Sequence, residues 1–309
     1  MHRAESLFET RLNRRTTIQG MVAVTVAGLL AGPGTAAFAR RNQSATDYPE
    51  LVIVATEYAF DGPATFESGW TRLTLDNQGV MDHHAMFMRV NDAATLADLE
   101  AALLEPAFEP MFAVSTSLGG PSAAPGASAS VIINLQAGTY VLICAIPDAA
   151  GVPHYALGMQ AALEVTEGTA TSEAPAADSN VELMEMQFHN LASEFAPGPQ
   201  IWQVDNTGGA VHELVVAKLA PGITFEAAQA MLLAPAEATP MDHTEGTPAG
   251  DMAGPPFTFV AGTAPMSQHH VNYVEFDFEP AEYLAVCFVP DGTGAPHLAL
   301  GMIMPFTVA

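Results

Sequence analysis

Two sixteen-residue stretches place cysteine, histidine and methionine at one fixed spacing. They are Cys144-Ala-Ile-Pro-Asp-Ala-Ala-Gly-Val-Pro-His-Tyr-Ala-Leu-Gly-Met159 and Cys287-Phe-Val-Pro-Asp-Gly-Thr-Gly-Ala-Pro-His-Leu-Ala-Leu-Gly-Met302. Both fit CxxPDxxGxPHxALGM, and chance does not set three such residues at one spacing twice. A further histidine precedes each stretch, His83 and His212, each six residues after an Asp-Asn pair, Asp76-Asn77 and Asp205-Asn206. Each half of the chain therefore offers two imidazoles, one thiol and one thioether. A trigonal set of two imidazoles and a thiolate with a weak axial thioether is the donor set of type 1 (blue) copper. The soft sulfur donors favour Cu(I), the imidazoles also accept Cu(II), and a rigid frame around both serves one-electron transfer. The candidate ligands are His83, Cys144, His154 and Met159 in one half, and His212, Cys287, His297 and Met302 in the other.

The elements that position these residues repeat as well. Residues 51–166 lie over 181–308 without a gap across the informative stretches, the mark of an internal repeat. Twelve residues after His83 and His212 stand Thr95 and Thr224, each opening an Ala/Leu-rich run, Leu96 to Leu104 and Phe225 to Leu233, that suits a short capped helix. The remainder reads as short strands rich in Val, Ile, Thr, Tyr and Phe separated by Gly and Pro. In the first half these are Leu51 to Thr56, Thr71 to Asp76, His84 to Val90, Ser130 to Leu135, Thr139 to Ile143 and Gln160 to Val165. In the second they are Val181 to Met186, Gln200 to Asp205, Glu213 to Lys218, Asn272 to Phe278, Tyr283 to Phe288 and Ile303 to Val308. The prediction is an all-β chain of two tandem sandwiches, 48–166 and 181–309, each with a short helical insert. An Ala/Ser/Thr/Glu/Pro-rich linker, 167–180, joins them. The second half carries an additional Pro/Gly/Ala-rich loop, Pro235 to Pro256, without periodicity.

On the Asn six residues before the first histidine, and on the late Cys…His…Met loop, the chain resembles the cupredoxin family, plastocyanin and azurin among them. The resemblance covers nearly all of the chain after residue 47. It implies Greek-key sandwiches with one copper near one end of each, under the loops. It also implies outer-sphere electron transfer through the exposed edge of the second histidine, here His154 and His297. Two features depart from the small members of the family. Nine residues separate Cys from the second His, and the stretch from first His to Cys is lengthened by the helical insert.

The N-terminus runs Arg14-Arg15, then an apolar stretch from Met21 to Ala31, then Ala37-Phe38-Ala39. This reads as an export signal over 1–39, similar to the twin-arginine type and cleaved near Ala39, which places the mature chain in the periplasm or outside the cell. No later segment is apolar enough to span a bilayer. With 9 Lys and Arg against 34 Asp and Glu, a net charge of −25, nucleic acid is disfavoured as a partner. A redox partner protein of unspecified identity is expected, and an acidic surface steers a basic one.

Two cysteines in an exported chain raise the alternative of a disulfide; the repeat, which sets Cys144 and Cys287 at equivalent loop positions in different sandwiches, argues against it. Strand alternation allows only one of His83 and His84 to point inward. Because His84 aligns with Glu213, His83 is taken as the ligand and His84 as solvent-facing or as a residue that orients a ligand. Met241, His243, Met252, Met266, His269 and His270 gather in or near the additional loop with irregular spacing and define no third site, and His189, without a partner in the first half, is read as a surface residue. The leading function is an electron carrier rather than a catalyst. The alternatives are a copper oxidase or reductase with a catalytic copper shared between subunits, for which His84 and His269 are the first ligand candidates, and a copper-free binding module.

Overall fold

The structure is a computed structural model that describes residues 48–105, 107–169, 172–234 and 255–309. The expected export signal and residues 235–254 of the additional loop, with Met241, His243 and Met252, lie outside the described residues.

Strands in the first repeat are β1 (Glu50–Thr56), β2 (Ala59–Asp61), β3 (Thr65–Glu67), β4 (Gly69–Asn77), β5 (His83–His84), β6 (Met86–Val90), β7 (Ser115–Ser117), β8 (Pro121–Ala123), β9 (Ser128–Leu135), β10 (Gly138–Ile143) and β11 (Gln160–Thr166). Those of the second are β12 (Ser179–Met184), β13 (Gln187–His189), β14 (Glu194–Phe195), β15 (Gly198–Asn206), β16 (Val215–Leu219), β17 (Phe257–Thr263), β18 (Val271–Phe278), β19 (Ala281–Val286) and β20 (Ile303–Val308). The helices are α1 (Leu96–Ala102), α2 (Pro110–Val114) and α3 (Phe225–Leu232). Thr95 caps α1 in a full capping box, its side chain accepting from Asp98 N–H while Asp98 accepts from Thr95 N–H. Thr224 caps α3 by accepting from Ala227 N–H.

The all-β sandwich architecture expected from the strand pattern is present. In the first repeat a sheet with β4, β1 and β9 faces one ordered β3-β11-β10-β6-β7, and the chain crosses between them as a Greek key does. Period-two alternation fits these strands: β4 buries Thr71, Leu73, Leu75 and Asn77 and turns Arg72, Thr74 and Asp76 outward. Where a helix covers the outer face as well, the strand reads apolar on both sides. Thus Val215 and Ala217 of β16 pack with Ala228 of α3, while Val216 faces the main core. Tyr140 and Tyr283, at matching positions, each donate their hydroxyl to a backbone carbonyl four residues earlier, Gln136 O at 2.8 Å and Glu279 O at 2.9 Å.

Two features differ from the sequence expectation. Strand β12 runs Ser179–Met184 rather than Val181 to Met186: its pairing with β15 begins at Ser179↔Trp202 and ends at Leu183↔Asn206, and the left-handed φ of 58° at Met186 turns the chain beyond it. The repeats also share sheets. Strands β9 and β18 pair (Tyr273↔Ile132, Val274↔Val131), fusing four strands from each repeat into one eight-stranded sheet, β13-β12-β15-β18-β9-β4-β1-β2. Strands β8 and β5 of the first repeat extend the sheet β14-β20-β19-β16-β17 of the second through β17. Each sandwich thereby covers an edge of the other that would otherwise expose unpaired backbone groups. Arg72 on β4 spans this junction to Glu275 on β18, Nε donating to Oε1 and Oε2 at 3.0 Å each and Nη2 to Oε2 at 2.6 Å.

Candidate metal centres

The first histidine of each centre hangs on a loop fixed by the preceding asparagine. Asn77 is fully buried at the end of β4. Its amide donates to Met81 O (2.8 Å) and Ala123 O (3.0 Å), and its carbonyl accepts from Gly79 N–H (3.0 Å). Asn206 repeats this with Ala210 O, Met266 O and Gly208 N–H at 2.8, 2.7 and 3.1 Å. A side chain with two donors and an acceptor is what such a turn requires, which explains why the Asp-Asn…His spacing recurs.

The nine residues between cysteine and second histidine fold on themselves. In the first repeat Asp148 accepts at Oδ1 from Ala150 and Val152 N–H, each at 2.9 Å, Gly151 takes a φ of 79°, and Pro147 bridges Pro153. In the second Asp291 accepts from Thr293 and Ala295 N–H, Gly294 has a φ of 85°, and Pro290 bridges Pro296. The long spacing is thus a closed excursion that returns the histidine to the cysteine. Between histidine and methionine the chain makes one 3-10 turn, ended by Gly158 (φ 104°) and Gly301 (φ 109°) in the left-handed region that glycine tolerates. Met159 N–H then donates to His154 O at 3.0 Å and Cys144 N–H to Met159 O at 3.3 Å. Met302 N–H and Cys287 N–H make the same bonds to His297 O and Met302 O, at 3.0 and 3.1 Å.

These turns bring three of the four predicted ligands of each repeat together. One ligand atom from each of His83, Cys144 and His154 lies within 4.8 Å of the others, and His212, Cys287 and His297 form the same group. In the first, Cys144 Sγ is 3.8 Å from His83 Nδ1 and 3.4 Å from His154 Nδ1, and the two Nδ1 atoms are 3.2 Å apart. In the second, Cys287 Sγ is 3.5 Å from His297 Nδ1, which is 3.0 Å from His212 Nδ1. Met159 and Met302 are fully buried and belong to the same core as the two cysteines. Both thiols are free, as the repeat required.

The surroundings fit a soft cation. Burial pushes the Cys144 thiol up to about 12 and raises that of Cys287, so neither ionises near neutral pH without a positive charge beside it. Burial, with a second imidazole alongside, lowers His83 and His212 to about 4; burial also lowers His154 and His297. Neutral imidazoles are what a metal binds, and a coordinated thiol is deprotonated outright. Nδ1 of each histidine faces its cysteine group, while Nε2 of His83, His154 and His212 is buried without a hydrogen-bond partner.

Three expectations need correction. His84 is 3% exposed, not solvent-facing: β5 is covered on both faces, and its Nε2 accepts from Ala145 N–H, one residue after Cys144, at 2.8 Å. Glu213 does the same in the second repeat, Oε1 accepting from Phe288 N–H at 2.9 Å, and burial lifts its carboxyl to about 7. The alignment of His84 with Glu213 was the visible signal of this shared acceptor role. Second, the histidine edge implied by the resemblance is covered, His154 being 1% and His297 2% exposed. The Tyr58 ring stands edge-on to His154, centroids 5.2 Å apart. Third, Met266 lies in the core: it is buried beside the first histidine of the second repeat, exchanging backbone bonds with His212. His189 and His269 are exposed and belong to neither group; His269 N–H donates to Asn206 O at 2.8 Å. A cavity of about 1010 Å³ is bordered by both Cys-to-His turns, with His84, Glu213, Phe259 and Phe288 in its wall.

The paired β-sandwiches with a buried His/Cys/His group in each repeat agree with what the resemblance to cupredoxins implies. No protein-family model matches the chain, and no curated protein matches it in sequence. Among solved structures it is similar to a dithionite-reduced auracyanin from the photosynthetic bacterium Roseiflexus castenholzii (19% identity, 43% of this chain and 99% of that one, TM-score 0.27). It is also similar to a multicopper oxidase (16%, 84% and 88%, 0.24) and to a copper-containing nitrite reductase from Thermus scotoductus SA-01 (12%, 84% and 61%, 0.23). With TM-scores this low, the chain's own geometry carries the reading of the site.

Proposed function

We propose that the chain is an exported electron-transfer protein holding one type 1 copper in each sandwich, with His83, Cys144, His154 and Met159 as ligands of one and His212, Cys287, His297 and Met302 of the other. The observation that carries the reading is the twofold occurrence of a buried two-imidazole, one-thiol group whose ligand atoms lie within 4.8 Å of one another. When bound, copper supplies a one-electron couple between Cu(II) and Cu(I). The residues do the rest. The asparagine clamps and glycine turns hold the donors in one arrangement for both oxidation states, which keeps reorganisation small. The apolar core excludes water from the thiol, and Tyr58 closes the edge of His154, so electrons enter through packed side chains rather than through an open imidazole. Export by the residues 1–39 signal and an acidic surface agree with a basic redox partner outside the cytoplasm. Among the described residues no helix is long and apolar enough to cross a membrane.

The shared cavity favours a second reading, a copper enzyme acting on a small molecule held between the two turns. Spectroelectrochemistry of the copper-loaded protein separates the two. A carrier shows two reversible one-electron steps and no steady turnover of nitrite or a phenol; sustained turnover abolished by filling the cavity, as in Ala261→Trp, would establish the enzyme.

A further inference from the structure

Each first histidine has a ring nitrogen that the metal group leaves over. His83 and His212 are fully buried and turn Nδ1 into the donor group, while Nε2 has no hydrogen-bond partner. A ligand bond at Nδ1 of a neutral imidazole leaves its proton on Nε2, and an unsatisfied buried N–H costs roughly 1–3 kcal/mol. In both repeats one carboxylate approaches that nitrogen. A β-carbon on Gly79 would lie 2.8 Å from Glu57 Oε1 and 3.0 Å from His83 Nε2; one on Gly208 would lie 3.1 Å from His212 Nε2 and 3.2 Å from Glu185 Oε1. Carboxylate and imidazole thus face one another across a glycine that puts no side chain between them.

The two glutamates are held alike. Glu57 Oε1 accepts from Val80 N–H at 2.5 Å, and Glu185 Oε1 accepts from Gly209 N–H. The residue after each glutamate, Tyr58 or Met186, has a left-handed φ of 58°, which turns the chain at the end of β1 or β12. Backbone donors keep both carboxylates ionised, and each acts on its own histidine. We propose that Glu57 and Glu185 are positioning residues, each the charge partner of the Nε2–H of the first histidine, fixing Nδ1 as the metal-facing atom and favouring the oxidised, more positive metal. This deepens the two-copper reading and rests on it. A carboxylate behind a ligating imidazole raises ligand basicity, and losing such a partner typically weakens metal affinity ten- to a hundredfold.

The test uses the full chain with Glu57→Gln, Glu185→Gln and, as a control for lost surface charge, Glu67→Gln on β3. Cu(II) affinity is measured by chelator competition and potentials by spectroelectrochemistry. Cys144→Ser and Cys287→Ser identify which site is which. Glu57→Gln is expected to weaken Cu(II) binding ten- to a hundredfold at the site containing Cys144 alone, and Glu185→Gln at the site containing Cys287 alone. With Cu(I) affinity unchanged, each tenfold loss moves that site's potential about 59 mV more positive. If wild type binds two coppers and both variants behave like Glu67→Gln, this role is wrong and the copper reading stands; if wild type binds no copper, both fall.

Discussion

Replacing Glu213 by glutamine removes a titration without removing the hydrogen bond it serves. The carboxyl is 5% exposed, and Oε1 accepts from Phe288 N–H, a contact that a glutamine oxygen reproduces. Burial raises Glu213 from its ordinary 4.5 to about 7. As pH rises from 4.5 to 7 the unfolded chain gives up this proton while the folded chain keeps it. The folded state then binds more protons, so stability falls as pH rises through this window. At about 1.4 kcal/mol per pH unit between the two values, the loss reaches roughly 3 kcal/mol by pH 8. Glutamine has no such dependence. In urea unfolding of the metal-free protein from pH 4 to 8, the stability of Glu213→Gln relative to wild type is expected to grow by roughly 3 kcal/mol with rising pH. Terms from other titrating groups are common to both proteins and drop out of the difference. A difference that stays flat, or shrinks as pH rises, refutes the assignment of Glu213 as a carboxyl kept protonated by burial.

Further tests address other links. In the metal-free Glu213→Gln background, His83 and His212, lowered by burial to about 4, should destabilise the fold as pH falls from 6.5 to 4, by on the order of 3 kcal/mol each; unfolding curves that coincide at pH 4 and 7 would contradict this. Gly158→Ala places a β-carbon at a φ of 104° in otherwise open space, so its cost is backbone strain of about 1–2 kcal/mol. Calorimetry should show that loss together with an altered visible spectrum at one copper only. Thr95→Ala breaks the capping box and should cost about 1 kcal/mol without touching either spectrum.

Much of the site was legible because each donor sits in a locally determined turn. The Asp, Gly and Pro of CxxPDxxGxPHxALGM are the residues that close the excursion between cysteine and histidine, so the motif encodes its own geometry. Strand β20 falls at Ile303–Val308 as read, and most other strands lie within two residues of their predicted ends. What periodicity could not show is pairing between repeats: β9 and β18 each look like any half-buried strand, and only their meeting at Ile132 and Tyr273 makes the eight-stranded sheet. Alternation along a strand misplaced His84, because a two-residue strand covered on both faces has no outward side. Glu57 and Glu185 escaped because the second repeat has one more residue between Phe188 and Gly198 than the first has between Phe60 and Gly69. A gap-free overlay anchored on the histidines therefore sets Glu57 against Met186. Covering of His154 by Tyr58 depends on that same displaced turn.

Copper stoichiometry measured together with the visible spectrum decides whether the chain holds two cysteine-ligated coppers. Wild-type protein loaded with Cu(II) should hold two coppers per chain and show the intense thiolate-to-copper charge-transfer band, with Cys144→Ser and Cys287→Ser each losing one copper's share and the double variant losing all of it. A colourless wild type, or a band that survives in the double variant, would contradict the account.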